Sequence, residues 1–269
     1  MDQNFTDTLQ HFINAPDLKI NSEKYPFENF EFLDERLSET EFQFPKNSVL
    51  GMQAEACFEG YIKQSNIFEL LIANLQITDD KETIGELDYI VKDLIKKEII
   101  HIELACKFYL YDVNAGVIEE EKWIGPNRKD RLSDKLGKIK MKQFPLLRKT
   151  ETIKKLEELE VEIPTSQELC LKAFLFLPKK MKSNTLATNF ANCVVGHWIK
   201  HKEFNEEDKT ALYAIPNKKE WLLPIEKIKT SRSFSEIQKL INLQIQNKKS
   251  PLIYKKTPDK LERFFVVWW

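Results

Sequence analysis

The chain has 269 residues, of which 42% are hydrophobic and 31% charged, and its formal net charge is −1. This balance describes a globular protein of one or two domains with a sizeable core; it excludes a grossly basic protein but leaves local charge open. No apolar run approaches the roughly 18–20 residues needed to span a bilayer.

The start, MDQNFTDTLQHF, lacks the basic and then apolar order of a signal peptide. A soluble cytoplasmic protein with no membrane partner is therefore expected. Cys57, Cys106, Cys170 and Cys193 are widely scattered with no CxxC spacing, as expected of buried free thiols in a reducing compartment. Residues 1–46 contain Pro16, Pro26 and Pro45 and short aromatic clusters. They predict one short helix, over 6–14, followed by extended segments that wrap the core.

Residues 48–65 change to a helical pattern. Leu50, Ala54, Cys57, Phe58, Tyr61 and Ile62 recur at three- and four-residue steps, and Glu55 lies beside that stripe. Residues 67–77 then predict a strand, 78–83 a turn, and 84–91 and 99–111 two further strands. Side chains alternate along a strand. In GELDYIV, Glu86 and Asp88 share one face, with Leu87, Tyr89 and Val91 on the other. In HIELACKFYL, Ile102, Leu104 and Cys106 share an apolar face with Ile100, and His101, Glu103, Ala105 and Lys107 share the opposite one. If the strands are neighbours, Asp88 and Glu103 converge, with Lys107 on the same side. Two carboxylates and a lysine facing one cleft suit a hard divalent cation, Mg²⁺ or Mn²⁺, and an activated water beside it.

At these residues the sequence resembles the PD-(D/E)XK phosphodiesterase superfamily, the restriction-endonuclease-like fold. There a metal-binding Asp opens one strand and a Glu-x-Lys pair sits on the next. Asp88 and Glu103 match the first two positions. The usual lysine position is Ala105, and Lys107 stands two residues further on. A strand rises about 3.3 Å per residue, so Lys107 starts roughly 6–7 Å along and must reach back with its stem. The resemblance also implies a metal-supporting role for Glu55, because a helix before the first core strand of that fold often contributes a Glu.

Further on, Gly125-Pro126-Asn127 breaks the chain, and residues 128–144 predict a helix stopped by Pro145. Arg128, Lys129, Arg131, Lys135, Lys138 and Lys142 give this stretch positive charge suited to a nucleic-acid backbone, although a lysine-rich solvated face is common. GELDYIV, HIELACKFYL, WIGPNRKDRLSDKL, YAIPNKKEWLLP and RFFVV together resemble a bacterial domain-of-unknown-function family, number eighteen fifty-three, from about Leu50 to the C-terminal part. Residues 150–162 predict a charged helix ended by Pro164, and 169–177 a strand.

The order helix, three strands, helix, strand predicts an α/β core of restriction-endonuclease-like type with a mixed central sheet flanked by helices. The expected division is a wrapping segment over 1–46, the core over 47–178, and a small α+β C-terminal region over 179–269. In that last region aromatic residues read as core rather than as base-stacking platforms. His197 and His201 are four apart, but their strand-like or turn-like context argues against zinc. Phosphate-binding glycine loops and a GxSxG elbow are absent. The expected function is a Mg²⁺- or Mn²⁺-dependent nuclease acting on DNA or RNA. The rival is a catalytically silent nuclease-fold module that binds nucleic acid or protein. A purely structural protein would leave the three carboxylates an ordinary surface cluster. Oligomeric state is not written in the sequence.

Overall fold

The structure, a computed structural model, describes residues 3–21, 23–33, 43–46, 48–80, 82–204 and 210–269. It is an α/β fold built on a mixed sheet of ten strands flanked by helices. After helix α1 (Gln3–Ile13) and the short strand β1 (Glu28–Asn29), α2 (Leu50–Gln64) leads into an antiparallel meander. Its strands are β2 (Phe68–Asp79), β3 (Glu82–Asp93) and β4 (Glu98–Tyr111). The expected turn over 78–83 shrinks to the two residues between β2 and β3, of which Lys81 lies outside the described residues.

From β4 the chain passes through β5 (Trp123–Ile124), α3 (Leu132–Lys138), a π-helical turn (Ile139–Gln143), α4 (Phe144–Leu146) and α5 (Thr150–Glu158). It re-enters the sheet as β6 (Ser166–Pro178), beside the start of β4, where Thr165 N–H donates to Ile99 O at 3.0 Å. Then come α6 (Thr188–Ala191), β7 (Val194–Lys200), β8 (Leu212–Ala214), α7 (Phe234–Gln246), β9 (Leu252–Lys256) and β10 (Leu261–Val267). The sheet order is β2-β3-β4-β6-β7-β10-β9-β8, with β1 on β6 and β5 on β4. β6, β7 and β10 run parallel to their neighbours in that series, while β10/β9 and β9/β8 are antiparallel.

The helix expected over 128–144 begins later and ends later. Arg128, with φ 57°, sits in a turn in which its N–H bonds Gly125 O, so winding starts only at Leu132. Pro145 does not stop it. Proline has no N–H and crowds the preceding turn of a regular α-helix, but that turn is already widened, with Phe144 N–H bonded to Ile139 O. β6 starts at Ser166 rather than 169, and from Glu168 to Leu177 it is buried on both faces, as a central strand must be.

Two compact units interleave along the chain. One comprises Met1–Lys46, Gly51–Cys106 and Lys135–Lys172; the other comprises Asn47–Leu50, Lys107–Asp134 and Ala173–Trp269. In the first, the apolar stripe of α2 packs on β3, with the Phe58 ring 4.7 Å from Tyr89 and 5.2 Å from Phe30. The N-terminal segment is strapped to β6: β1 pairs with it in parallel, and Leu18 and Phe30 N–H groups bond Leu171 and Leu169 carbonyls. In the second unit, α7 packs Ile237 and Ile241 against Tyr213, Ile253 and Phe264, and the rings of Phe108 and Phe174 stack at 4.4 Å. Among the described residues no helix is long and apolar enough to cross a membrane.

Candidate metal centre

β3 and β4 pair Tyr89 with Ile102 and Ile90 with His101; Asp88, two residues from Ile90, and Glu103, two from His101, therefore lie on the face that this pair shares, just past the end of the paired register. Directly opposite residues share a face. Because both faces of β4 are covered, Glu103 and His101 have no exposed side-chain surface. Burial fixes the chemistry. It pushes Asp88 up to about 7, helped by the Glu103 charge, and Glu103 up to about 7 against the pull of Lys135. Each carboxyl acts on the other, so the pair titrates as a unit near neutrality. Asp88 Oδ2 also accepts from Leu104 N–H at 2.9 Å.

Glu103 is held from both sides. His101 Nε2 lies 3.0 Å from its Oε1, and Gln143 donates to its Oε2. Gln167 Nε2 lies 3.0 Å from His101 Nδ1 and donates to Phe144 O at 2.9 Å. An amide nitrogen can only donate, so Nδ1 is the acceptor and the proton of neutral His101 sits on Nε2, facing Glu103. Burial pushes His101 down to about 4, consistent with a neutral ring. On the other side Lys135 Nζ donates to Gln143 Oε1 at 3.1 Å. Lys135 is the cation that pulls on both carboxyls, and Lys138 adds to it at Glu103.

The remaining expected residues are placed as follows. Glu55 lies on the exposed side of α2, and its carboxyl is raised by partial burial and then by the charges of Asp88 and Glu86. Its backbone carbonyl accepts from Tyr89 OH at 3.2 Å, tying α2 to the strand that carries Asp88. Lys107 is ion-paired to Asp130 at 3.1 Å, and Ala105, at the usual lysine position, is buried. Of the six basic residues, Lys135, Lys138 and Lys142 belong to the compact unit of the carboxyls. In the other unit Lys129 is exposed, Arg128 is paired to Asp112 at 2.8 Å and stacked on Trp269, and Arg131 reaches Asp134 and Ala115 O. His197 stacks on Phe264 in β7, while His201 sits in the following turn, 2.7 Å from Asn242 Oδ1.

Among the described residues no three His, Cys, Asp or Glu side chains converge closely enough to hold an ion among them. Asp88 and Glu103 do lie together, and Mg²⁺ is commonly held by one or two carboxylates, with waters and substrate phosphates completing its shell. Two neighbouring carboxyls, both raised by burial, are chemically compatible with a divalent ion. The alternation of β3 and β4 identified both. Gln143, Gln167 and the role of Lys135 were not legible, because they arrive from a π-helical turn, β6 and α3.

No curated protein and no solved structure matches the chain. Residues 12–267 match the family described as Domain of unknown function (DUF1853), and the chain belongs to that family.

Proposed function

We propose that this DUF1853 protein is a divalent-metal-dependent phosphodiesterase of the PD-(D/E)XK kind, acting on nucleic acid. The facing carboxyls Asp88 and Glu103, buried together under the charge of Lys135, carry this reading. The order α2, β2, β3, β4, helices, β6 supports it, since it sets these carboxyls on adjacent strands of a mixed sheet. Asp88 and Glu103 would hold Mg²⁺ or Mn²⁺, with Glu55 supporting Asp88 from α2. A bound ion supplies Lewis-acid polarisation of a phosphoryl oxygen and lowers the pKa of a bound water.

The chain's own residues do the rest. Lys135 takes the part expected of Lys107: it orients the attacking water or stabilises negative charge developing on the phosphate. Gln143 links it to Glu103, so acid and base keep a fixed relation. Neutral His101 holds the far oxygen of Glu103. Lys138 and Lys142 are exposed and suited to the flanking phosphates.

One observation favours a second reading, a silent module of the same fold. Glu103 has no exposed side-chain surface and both its oxygens are engaged. Calorimetric titration of Mn²⁺ into the wild type and Asp88→Ala, with a cleavage assay on mixed DNA and RNA, separates the two. The proposal expects binding lost in the variant, and cleavage that falls about 100-fold or more in Lys135→Ala but little in Lys107→Ala. Binding without cleavage of any substrate would favour the silent module. No binding at neutral pH would sink the metal centre.

A further inference from the structure

A second group of carboxyls lies in the same compact unit, around a half-open cavity of about 690 Å³ that shares no lining residue with the metal centre. Parallel pairing of β1 with β6 sets Glu28 directly opposite Glu168. Like charges so placed repel unless something compensates them. Two other acids of the cavity are already engaged. Glu31 pairs with Lys19 at 3.1 Å, and Asp93 accepts from Ile95 and Lys96 N–H groups at 2.9 Å, with Lys96 Nζ 3.9 Å away. Glu168 is different. It is 7% exposed, and among the described residues its carboxyl makes no hydrogen bond or ion pair. Glu168 itself lines the cavity, as do Lys96, Glu28, Asp93 and Glu31, whose charges act on its carboxyl. Phe30 and Phe68 form part of the wall.

We propose that this cavity is a binding site for a small organic cation carrying a protonated primary amine, such as an alkyl diamine. Glu168 and Glu28 receive one ammonium, and Phe30 and Phe68 cover its carbon chain. The chemistry selects an ammonium over a bare divalent ion. A small divalent ion keeps a shell of oxygen ligands and gains nothing from aromatic walls, whereas the cavity sets Phe30 and Phe68 beside its carboxylates. An alkylammonium gains hydrogen bonds from the carboxylates, apolar burial, and attraction to ring faces. This inference stands independently of the phosphodiesterase reading.

The test is calorimetric titration of 1,4-diaminobutane into the full chain at pH 8 and low salt. Wild type, Glu168→Gln, Glu28→Gln and Asp88→Asn are compared, with 1,4-butanediol and Mg²⁺ as further titrants. The expected result is saturable binding to wild type, unchanged in Asp88→Asn, weakened at least about tenfold in Glu168→Gln, and absent for the diol. No saturable binding to wild type, or equal affinity in a folded Glu168→Gln, overturns the proposal. So does Mg²⁺ binding that depends on Glu168 while the diamine fails to bind. Should Glu168→Gln not fold, the exposed Glu28 carries the comparison, and unchanged affinity in Glu28→Gln overturns the site.

Discussion

Asp88 shows how a buried carboxyl conflicts with the fold that holds it. It faces Glu103 across two strands, and burial pushes both up to about 7. A carboxyl raised above its unfolded value contributes stability that is fully present below that value and is lost as pH rises through about 7. Without a metal, Asp88→Asn should therefore raise the melting temperature at pH 8 by about 2–4 °C, from roughly 1 kcal/mol of relieved repulsion. At pH 5, where the pair is protonated, it should change little. The same variant should lose Mn²⁺ binding. Melting curves at the two pH values check this, and an equal change at both would remove the charge argument. The alternation of residues predicts this pair because strand geometry is local. The same alternation points to Lys107, whereas the cation that acts on the pair is Lys135, some thirty residues away in sequence and brought in by tertiary packing. The burial of Ala105 gives the reason: a lysine stem there would have to fit inside a packed interior.

At the scale of elements, periodicity reveals the meander and α2, but not what departs from a single period. The π-helical turn is one such case, since Leu132, Leu136 and Ile139 continue a helical stripe straight into it. Lys172 is another. It occupies an apolar-looking strand, LCLKAFLFL, yet is wholly buried. Its Nζ donates to Ile13 O at 2.8 Å, Ala15 O at 2.9 Å and Asp17 Oδ2 at 3.0 Å, and lies 4.0 Å from the Phe32 ring. One ammonium thus fastens the end of α1 to β6. Breaking a buried pair by removing one partner leaves the other charge and its carbonyls uncompensated. Lys172→Ala should cost about 3–5 kcal/mol in urea unfolding and expose the N-terminal segment to proteolysis before the rest of the chain. Asp17→Asn should cost less, because the two carbonyls keep their donor. Equal losses in the two variants would show that the ion pair, rather than the three-way anchor, holds the segment.

Over the whole molecule, burial moves two sets of groups in opposite directions. Asp88, Glu103 and Glu168 are raised to about 7, while His101 and His197 are lowered to about 4. The histidines contribute stability that is full above their ordinary 6.5 and lost as pH falls through about 4. The carboxyls contribute stability that is full below their ordinary values and lost as pH rises through about 7. Between these limits the two sets oppose each other; above 6.5 only the carboxyls still change. The urea midpoint of the metal-free protein should accordingly fall from pH 6.5 to 8. On the proposed reading a divalent ion at Asp88 and Glu103 would bind their ionised forms and displace any proton they carry, so its stabilisation should grow across that interval. At a hundred times its dissociation constant an ion adds about 2.7 kcal/mol. With Mn²⁺ kept at that multiple of the constant measured at pH 8, the loaded and metal-free curves should separate progressively as pH rises. In Asp88→Asn the two curves should coincide. Parallel curves in the wild type would mean that no proton leaves when the ion binds, and the facing carboxyls would then not be its ligands.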